Sequence, residues 1–273
     1  MGSMVPGEVV SHDEILRQAK QNYAQRERAA HISHAELVGL AKARPPNKVA
    51  AVVTSFSDWV FDLDKNSLED NTEAKSRGRA GELVLVNGVF RDLAQLKREK
   101  WERIQVKKKQ DMAYYAGKRF SSSEWLLEFD GTGDSDAEAL QISSLQVENA
   151  PLFGKPDLVF RHKRTSDVLI LELKTWNGHG RLPPFGWPNM KAQLWCYGQA
   201  DAWRDAPNVL LQGRVWRWLD RPTMEQPDAD AGLQHPGIAL QPWLANDPRV
   251  NSECAELFTL FGGQCHSPVS AGV

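Results

Sequence analysis

Between residues 156 and 174 the chain reads Pro156-Asp157-Leu158-Val159-Phe160-Arg161, then a polar turn at Lys163-Arg164-Thr165-Ser166, then Val168-Leu169-Ile170-Leu171-Glu172-Leu173-Lys174. Two short apolar runs flanking a polar turn predict an antiparallel hairpin. In the second run, alternation puts Val168, Ile170, Glu172 and Lys174 on one face and Leu169, Leu171 and Leu173 on the other. Both faces begin apolar, so a strand covered on both sides is expected. A carboxylate or an ammonium group is expensive to bury alone, and a buried pair of them stabilises little. Their place at the end of such a strand therefore points to a site. Asp157 opens the preceding run, and the hairpin brings it beside Glu172. Two adjoining carboxylates raise each other's pKa unless a cation lies between them. Oxygen ligands alone select a hard cation, magnesium or manganese. Such an ion polarises a phosphate and generates hydroxide, and Lys174 would neutralise developing negative charge and orient the attacking water.

Around this hairpin the pattern continues. Leu140 to Val147 predicts an earlier strand, and Ser121 to Ala137 is mixed, with a turn-rich centre at Asp130-Gly131-Thr132-Gly133-Asp134. Downstream come a Gly- and Pro-rich loop, a helix over Asn189 to Trp203 entered through Pro188, and a strand over Val209 to Leu219. Hairpin strands followed by a crossover helix and another strand imply an α/β fold, a mixed sheet flanked by helices. The first third reads as helical. Ser11 and Glu14 form a capping box before a helix over Asp13 to about Ala30. Pro45-Pro46 breaks the chain, Val49 to Ser55 reads as a short β-like run, and Asp62 to Ser76 as an acidic loop. Gly81 to Phe90 is apolar, a helix or short strand, and Arg91 to Gln110 a strongly charged helix. The expected organisation is a helical region over 4–75, a core over 76–220 and a C-terminal extension over 221–273, which has an apolar stretch at Ala255 to Phe261.

Pro156-Asp157 with Glu172-Leu173-Lys174 resembles the signature of the PD-(D/E)XK nuclease superfamily, and Gly154-Lys155-Pro156-Asp157 resembles its G-x-x-D form. Gln193-Leu194-Trp195-Cys196-Tyr197 is similar to the Q-x-x-x-Y motif of the RecB-like and lambda-exonuclease-like branch, and its Gln and Tyr share one helix face. Arg77-Gly78-Arg79-Ala80-Gly81-Glu82 resembles that branch's first motif. The resemblance implies a restriction-endonuclease-like core, a metal held by Asp157, Glu172, Glu82 and the main-chain carbonyl of Leu173, and catalytic roles for Asp157, Glu172, Lys174, Gln193 and Tyr197. Glu124, Glu128 and Glu148 are rivals for the place given to Glu82. It further implies magnesium- or manganese-dependent hydrolysis of nucleic acid, DNA ahead of RNA, by exonuclease or endonuclease action.

Composition bounds the rest. The net charge is -2, so nucleic acid would be met by a local basic patch. Lys97, Arg103 and Lys107, in the basic run from Lys97 to Lys109, either track phosphates or form a solvated helix face. Trp176 and Trp187 flank the loop after the hairpin, where they can stack on bases, whereas Trp195, Trp203, Trp216 and Trp218 read as core or interface. Arg161 to Arg164 reads as a solvated turn at the end of the hairpin away from the acids. Cys196, Cys254 and Cys265 lack C-x-x-C spacing, which disfavours zinc and the iron–sulfur subgroup of that branch. A reducing cytoplasm is the expected setting. The opening residues lack the basic and apolar regions expected of a secretory signal, no apolar run approaches membrane length, and Met1 to Met4 has the look of a cloning remnant. Three other readings remain open: an RNA-directed nuclease, an inactive nuclease-like module that binds nucleic acid or protein, and a structural ion-pair network of Asp157, Glu172 and Lys174.

Overall fold

The computed structural model describes residues 11–21, 32–64, 124–131, 137–176, 182–217 and 238–266. Helices α1 (His12–Gln21), α2 (His34–Ala43) and α3 (Val53–Asp64) precede strands β1 (Trp125–Asp130), β2 (Leu140–Val147), β3 (Ala150–Gly154), β4 (Leu158–His162) and β5 (Val168–Trp176). Helix α4 (Pro188–Gly198), a 3-10 turn (Asp201–Trp203), β6 (Val209–Arg217), β7 (Ile238–Ala239), β8 (Trp243–Leu244), α5 (Pro248–Leu260) and β9 (Gly263–Cys265) follow. Glu82, Lys97, Arg103 and Lys107, and the elements expected over Gly81 to Gln110, lie outside the described residues.

The fold is mixed α/β. A central sheet runs β1-β4-β5-β6-β7, with β8 also on β6, and a smaller sheet runs β3-β2-β9. The pairings β1–β4 and β4–β5 are antiparallel, and β5–β6 is parallel over nine residue pairs, Val168↔Val209 to Trp176↔Arg217. Parallel neighbours need a crossover, and α4 supplies it. Val168, Ile170, Leu211 and Val215 face the larger core with α2 to α5, whereas Leu169, Leu171 and Leu210 face a smaller one with α1. The expected two-sided cover of β5 is therefore present. Met190, Ala192, Gln193, Leu194, Trp195, Cys196 and Tyr197 of α4 are all buried, because this helix lies between the sheet and both α3 and α5. Trp195 and Trp203 are core residues, as expected. Residues after 220 add strands to both sheets and the helix α5, whose Leu257 and Phe258 are buried. No helix among the described residues is long and apolar enough to cross a membrane.

Several local expectations change. The β-like run over Val49 to Ser55 is not a strand: only Val52 makes an isolated bridge, to Phe153, and α3 begins at Val53. Val53, Phe56, Ser57 and Val60 recur at helical spacing and are buried, so packing overrides the β-branched composition. That helix continues to Asp64, into the segment expected to be loop. Trp125–Asp130 is a strand within the stretch read as mixed, and Ala150–Gly154 is another that the pattern did not suggest. Near Ser11, Glu14 accepts from Arg17 and Gln18 rather than closing the expected box, whereas Ser33 and Glu36 form a complete one on α2.

The turn end of the hairpin is not simply solvated. His162 and Asp167 are buried. Asp167 accepts from Asn208 Nδ2 at 3.0 Å and from the Asn208 N–H at 3.1 Å, and it lies 2.6 Å from His12 Nε2. The His12 and His162 rings stack at 4.0 Å beside Trp125, and the His12 N–H donates to Glu124 at 2.9 Å. Burial of one side chain such as Ile15 is worth about 1.5–3 kcal/mol, and a helix of ten residues is marginal alone. This polar cluster and the apolar contacts of Ile15, Leu16 and Ala19 together hold α1 on the sheet.

Burial, then the stacked His12, push the His162 pKa below its ordinary value; Arg164 adds to this, while Glu124 and Asp167 oppose it. Asp167 lies below the ordinary aspartate value because its hydrogen bonds to His12, Asn208 and Thr165 outweigh the cost of burial. With His162 depressed, the unfolded chain binds more protons as pH falls below about 6.5, so stability drops there. The Asp167 contribution is present above the ordinary aspartate value and is lost only at lower pH. Thermal unfolding should show a falling Tm from about pH 7 to about pH 5. His162→Asn, which keeps an acceptor for the Thr165 N–H, should flatten that segment; an unchanged profile would remove His162 as its cause.

Candidate functional site

The site is built at the end of β5 away from the hairpin turn. In the antiparallel pairing Leu158 faces Leu171 and Val159 faces Ile170. Continuing this register by one residue sets Asp157 opposite Glu172, on the face of the larger core. A direct contact agrees: the Leu173 N–H donates to Asp157 Oδ2 at 2.6 Å. In a strand the N–H and C=O of one residue leave by the same edge. The Leu173 carbonyl is thus directed to the side on which Asp157 stands.

Glu172 is buried, its side chain 2% exposed, and Lys174 Nζ donates to its Oε1 at 2.6 Å while the lysine side chain remains 27% exposed. The lysine stem can lie along the protein while its head reaches water or an anionic ligand. Two acids, a main-chain carbonyl and a lysine therefore converge from the end of one strand and the start of its neighbour. Three oxygen donors suit a hard cation, since magnesium binds through one or two carboxylates and keeps several waters. Among the described residues no group of three His, Cys, Asp or Glu side chains is placed to hold a metal. A third acid at Glu82 lies outside the described residues.

Gln193 and Tyr197 come to the same place from α4. Gln193 Nε2 donates to the Tyr197 hydroxyl at 3.1 Å, and that hydroxyl donates to the Lys155 main-chain oxygen at 3.1 Å. Gly154, just before, leaves room for the Tyr197 ring and Val53: a Cβ there would lie 2.6 Å from Tyr197 Cε1. Burial drives the Tyr197 pKa well up, and the charges of Glu172 and Asp157 raise it further, against the Gln193 hydrogen bond. The tyrosine thus stays protonated, within the field of both acids. Its contacts make it a brace for the segment that carries Asp157.

Trp187 occupies the N-cap position of α4, with no capping hydrogen bond from its side chain, and is half-buried against the larger core. Trp176 ends β5. The three cysteines are free thiols, two of them buried. The Lys155 carbonyl, which accepts from Tyr197, and the Gly131 N–H, which donates to the Asp157 main-chain oxygen at 2.8 Å, leave no mark in the sequence. Both act through the backbone, where side-chain chemistry leaves no signal. The Asp-Gly pair at 130–131 marked only a turn.

No family model matches the chain, and no curated protein matches it significantly. Among solved structures, the crystal structure of SSO0001 aligns over 83% of this chain and 84% of that chain at 11% identity, with a TM-score of 0.29. A likeness so low carries no argument about fold or function.

Tyr197→Phe leaves the Gln193 amide and the Lys155 carbonyl without their shared partner. Urea denaturation should show a loss of about 1–3 kcal/mol, with Gln193→Ala costing less because the Tyr–Lys155 bond survives.

Proposed function

We propose that this chain is a magnesium- or manganese-dependent nuclease of the PD-(D/E)XK type, with a restriction-endonuclease-like core, that hydrolyses phosphodiester bonds of DNA. The observation that carries the reading is the β4–β5 register, which sets Asp157 against the Glu172-Leu173-Lys174 segment and leaves an ammonium group at the rim. The bracing of Asp157 by Tyr197 through Lys155 adds to it.

In this reading Asp157, Glu172 and the Leu173 carbonyl hold the ion, with Glu82 as a third acid. The bound ion supplies Lewis acidity at the scissile phosphate and activation of water. Lys174 then exchanges its contact with Glu172 for the phosphate and the attacking water, placing positive charge where the transition state gathers negative charge. Gln193 and Tyr197 hold the Asp157 segment at fixed distance from Glu172, which matters because a shift of about 1 Å can cost about 100-fold in rate. Trp176, Trp187, Lys97, Arg103 and Lys107 are the proposed contacts to nucleic acid.

The competing reading is a nuclease-like binding module, and one observation favours it: Glu172 accepts from Lys174, and Asp157 accepts from the Leu173 N–H, as a structural network of charges would have it. Digestion of linear, supercoiled and single-stranded DNA and of RNA, with and without manganese, separates the two. The nuclease reading expects metal-stimulated cleavage, reduced about 10²- to 10³-fold by Lys174→Ala and abolished by Asp157→Ala, with the circular dichroism spectrum retained. No cleavage of any substrate by the parent protein, or full activity in Lys174→Ala, would sink it; cleavage of RNA alone would transfer it to that substrate.

A further inference from the structure

We infer that Gly131 is a positioning residue for the Asp157 carboxylate, acting through the space its missing side chain leaves to the Pro156–Asp157 peptide. The inference rests on the nuclease reading and deepens it. Gly131 follows the last residue of β1, and its N–H donates to the Asp157 main-chain oxygen at 2.8 Å. A Cβ at this position would overlap the Pro156 carbonyl oxygen and would come within 2.9 Å of both Lys155 Cγ and Phe129 Cε1. The backbone angle is not the reason for glycine here, since the described glycines with positive φ are Gly186 and Gly262. An alanine is therefore excluded by space alone.

The nature of the nearest atom decides what must move. Phe129 and Lys155 offer side-chain atoms that can turn aside, but the Pro156 oxygen belongs to the peptide that leads into Asp157. That peptide is pinned before it by the Tyr197 bond to the Lys155 carbonyl, and after it by the β4–β5 register. A side chain at residue 131 has to displace the Pro156–Asp157 peptide from its place between β1 and β5, and so shift the carboxylate relative to Glu172 and Leu173. Displacing a group that orients a metal ligand commonly costs about 10- to 100-fold in metal affinity or activity.

The test is manganese titration by calorimetry on the parent, Gly131→Ala and Gly39→Ala, alongside cleavage kinetics. Gly39 lies on α2 with nothing within 4 Å of an added Cβ, so its substitution controls for any glycine-to-alanine effect. Gly131→Ala should weaken manganese binding about 10- to 100-fold and lower kcat with little change in KM for DNA, whereas Gly39→Ala should do neither. If Gly131→Ala does not fold, the pair Lys155→Gly and Lys155→Gly/Gly131→Ala serves instead: the first lets the peptide yield, and only the second should show the added loss. Manganese affinity equal to the parent's in the folded Gly131 variant overturns this role and leaves the nuclease reading standing. A parent that binds no manganese overturns the nuclease reading, and the role of Gly131 with it.

Discussion

The antiparallel register of β4 on β5 governs where each charged group of the site stands. Leu158 lies against Leu171 and Val159 against Ile170, so Asp157 arrives opposite Glu172. Side chains alternate with a period of two, and a slip of one residue would send Asp157 to the face of the smaller core. The register is well determined because both faces are apolar: Leu169, Leu171, Leu158 and Phe160 pack on α1 and Trp125, while Val168, Ile170 and Val159 belong to the larger core. Fully burying each such side chain contributes about 1.5–3 kcal/mol. Misregister would forfeit several of these at once and bury polar groups in their place.

The same sheet holds charge at both ends of this hairpin, with opposite consequences. At the turn, Asp167, His12 and Asn208 satisfy one another in a closed cluster, and His162 stacks on His12 and is bonded to Thr165. Asp167 and both histidines are nearly inaccessible there, and the chemistry is spent on holding α1. At the far end, Glu172 is equally buried, but Lys174 is partly open to solvent. Buried carboxylate beside accessible ammonium is an arrangement that can exchange partners when an anion or cation arrives, which the closed cluster cannot do.

Helix α4 ties this end to the core. It joins β5 to β6 as the crossover of a parallel pair and is buried along nearly its whole length. Because it is fixed by packing, the hydroxyl of Tyr197 can hold the Lys155 carbonyl at a defined place. Gly131 approaches the adjoining peptide from the opposite neighbour strand. The Asp157 segment is thus confined by α4 and the end of β1, both remote in the chain, and by its hairpin partner β5.

The strand content of residues 140–147, 158–162 and 168–174, the helix after Pro188 and the face shared by Glu172 and Lys174 were all legible from the amino-acid order. These features depend on periodicity and on local turn chemistry, which a linear pattern carries. The helix at Val53, the strand at Ala150–Gly154 and the burial of His162 and Asp167 were not, because each is decided by a partner far along the chain: the packing of α3 on α4, the pairing of β3 with β2, and His12 with Asn208. The acids and the lysine could be named from sequence because their charge conflicts with an apolar strand. The brace from Tyr197 to Lys155 and the space kept by Gly131 needed the tertiary structure, since a backbone carbonyl and an absent side chain acquire meaning only from what is brought against them.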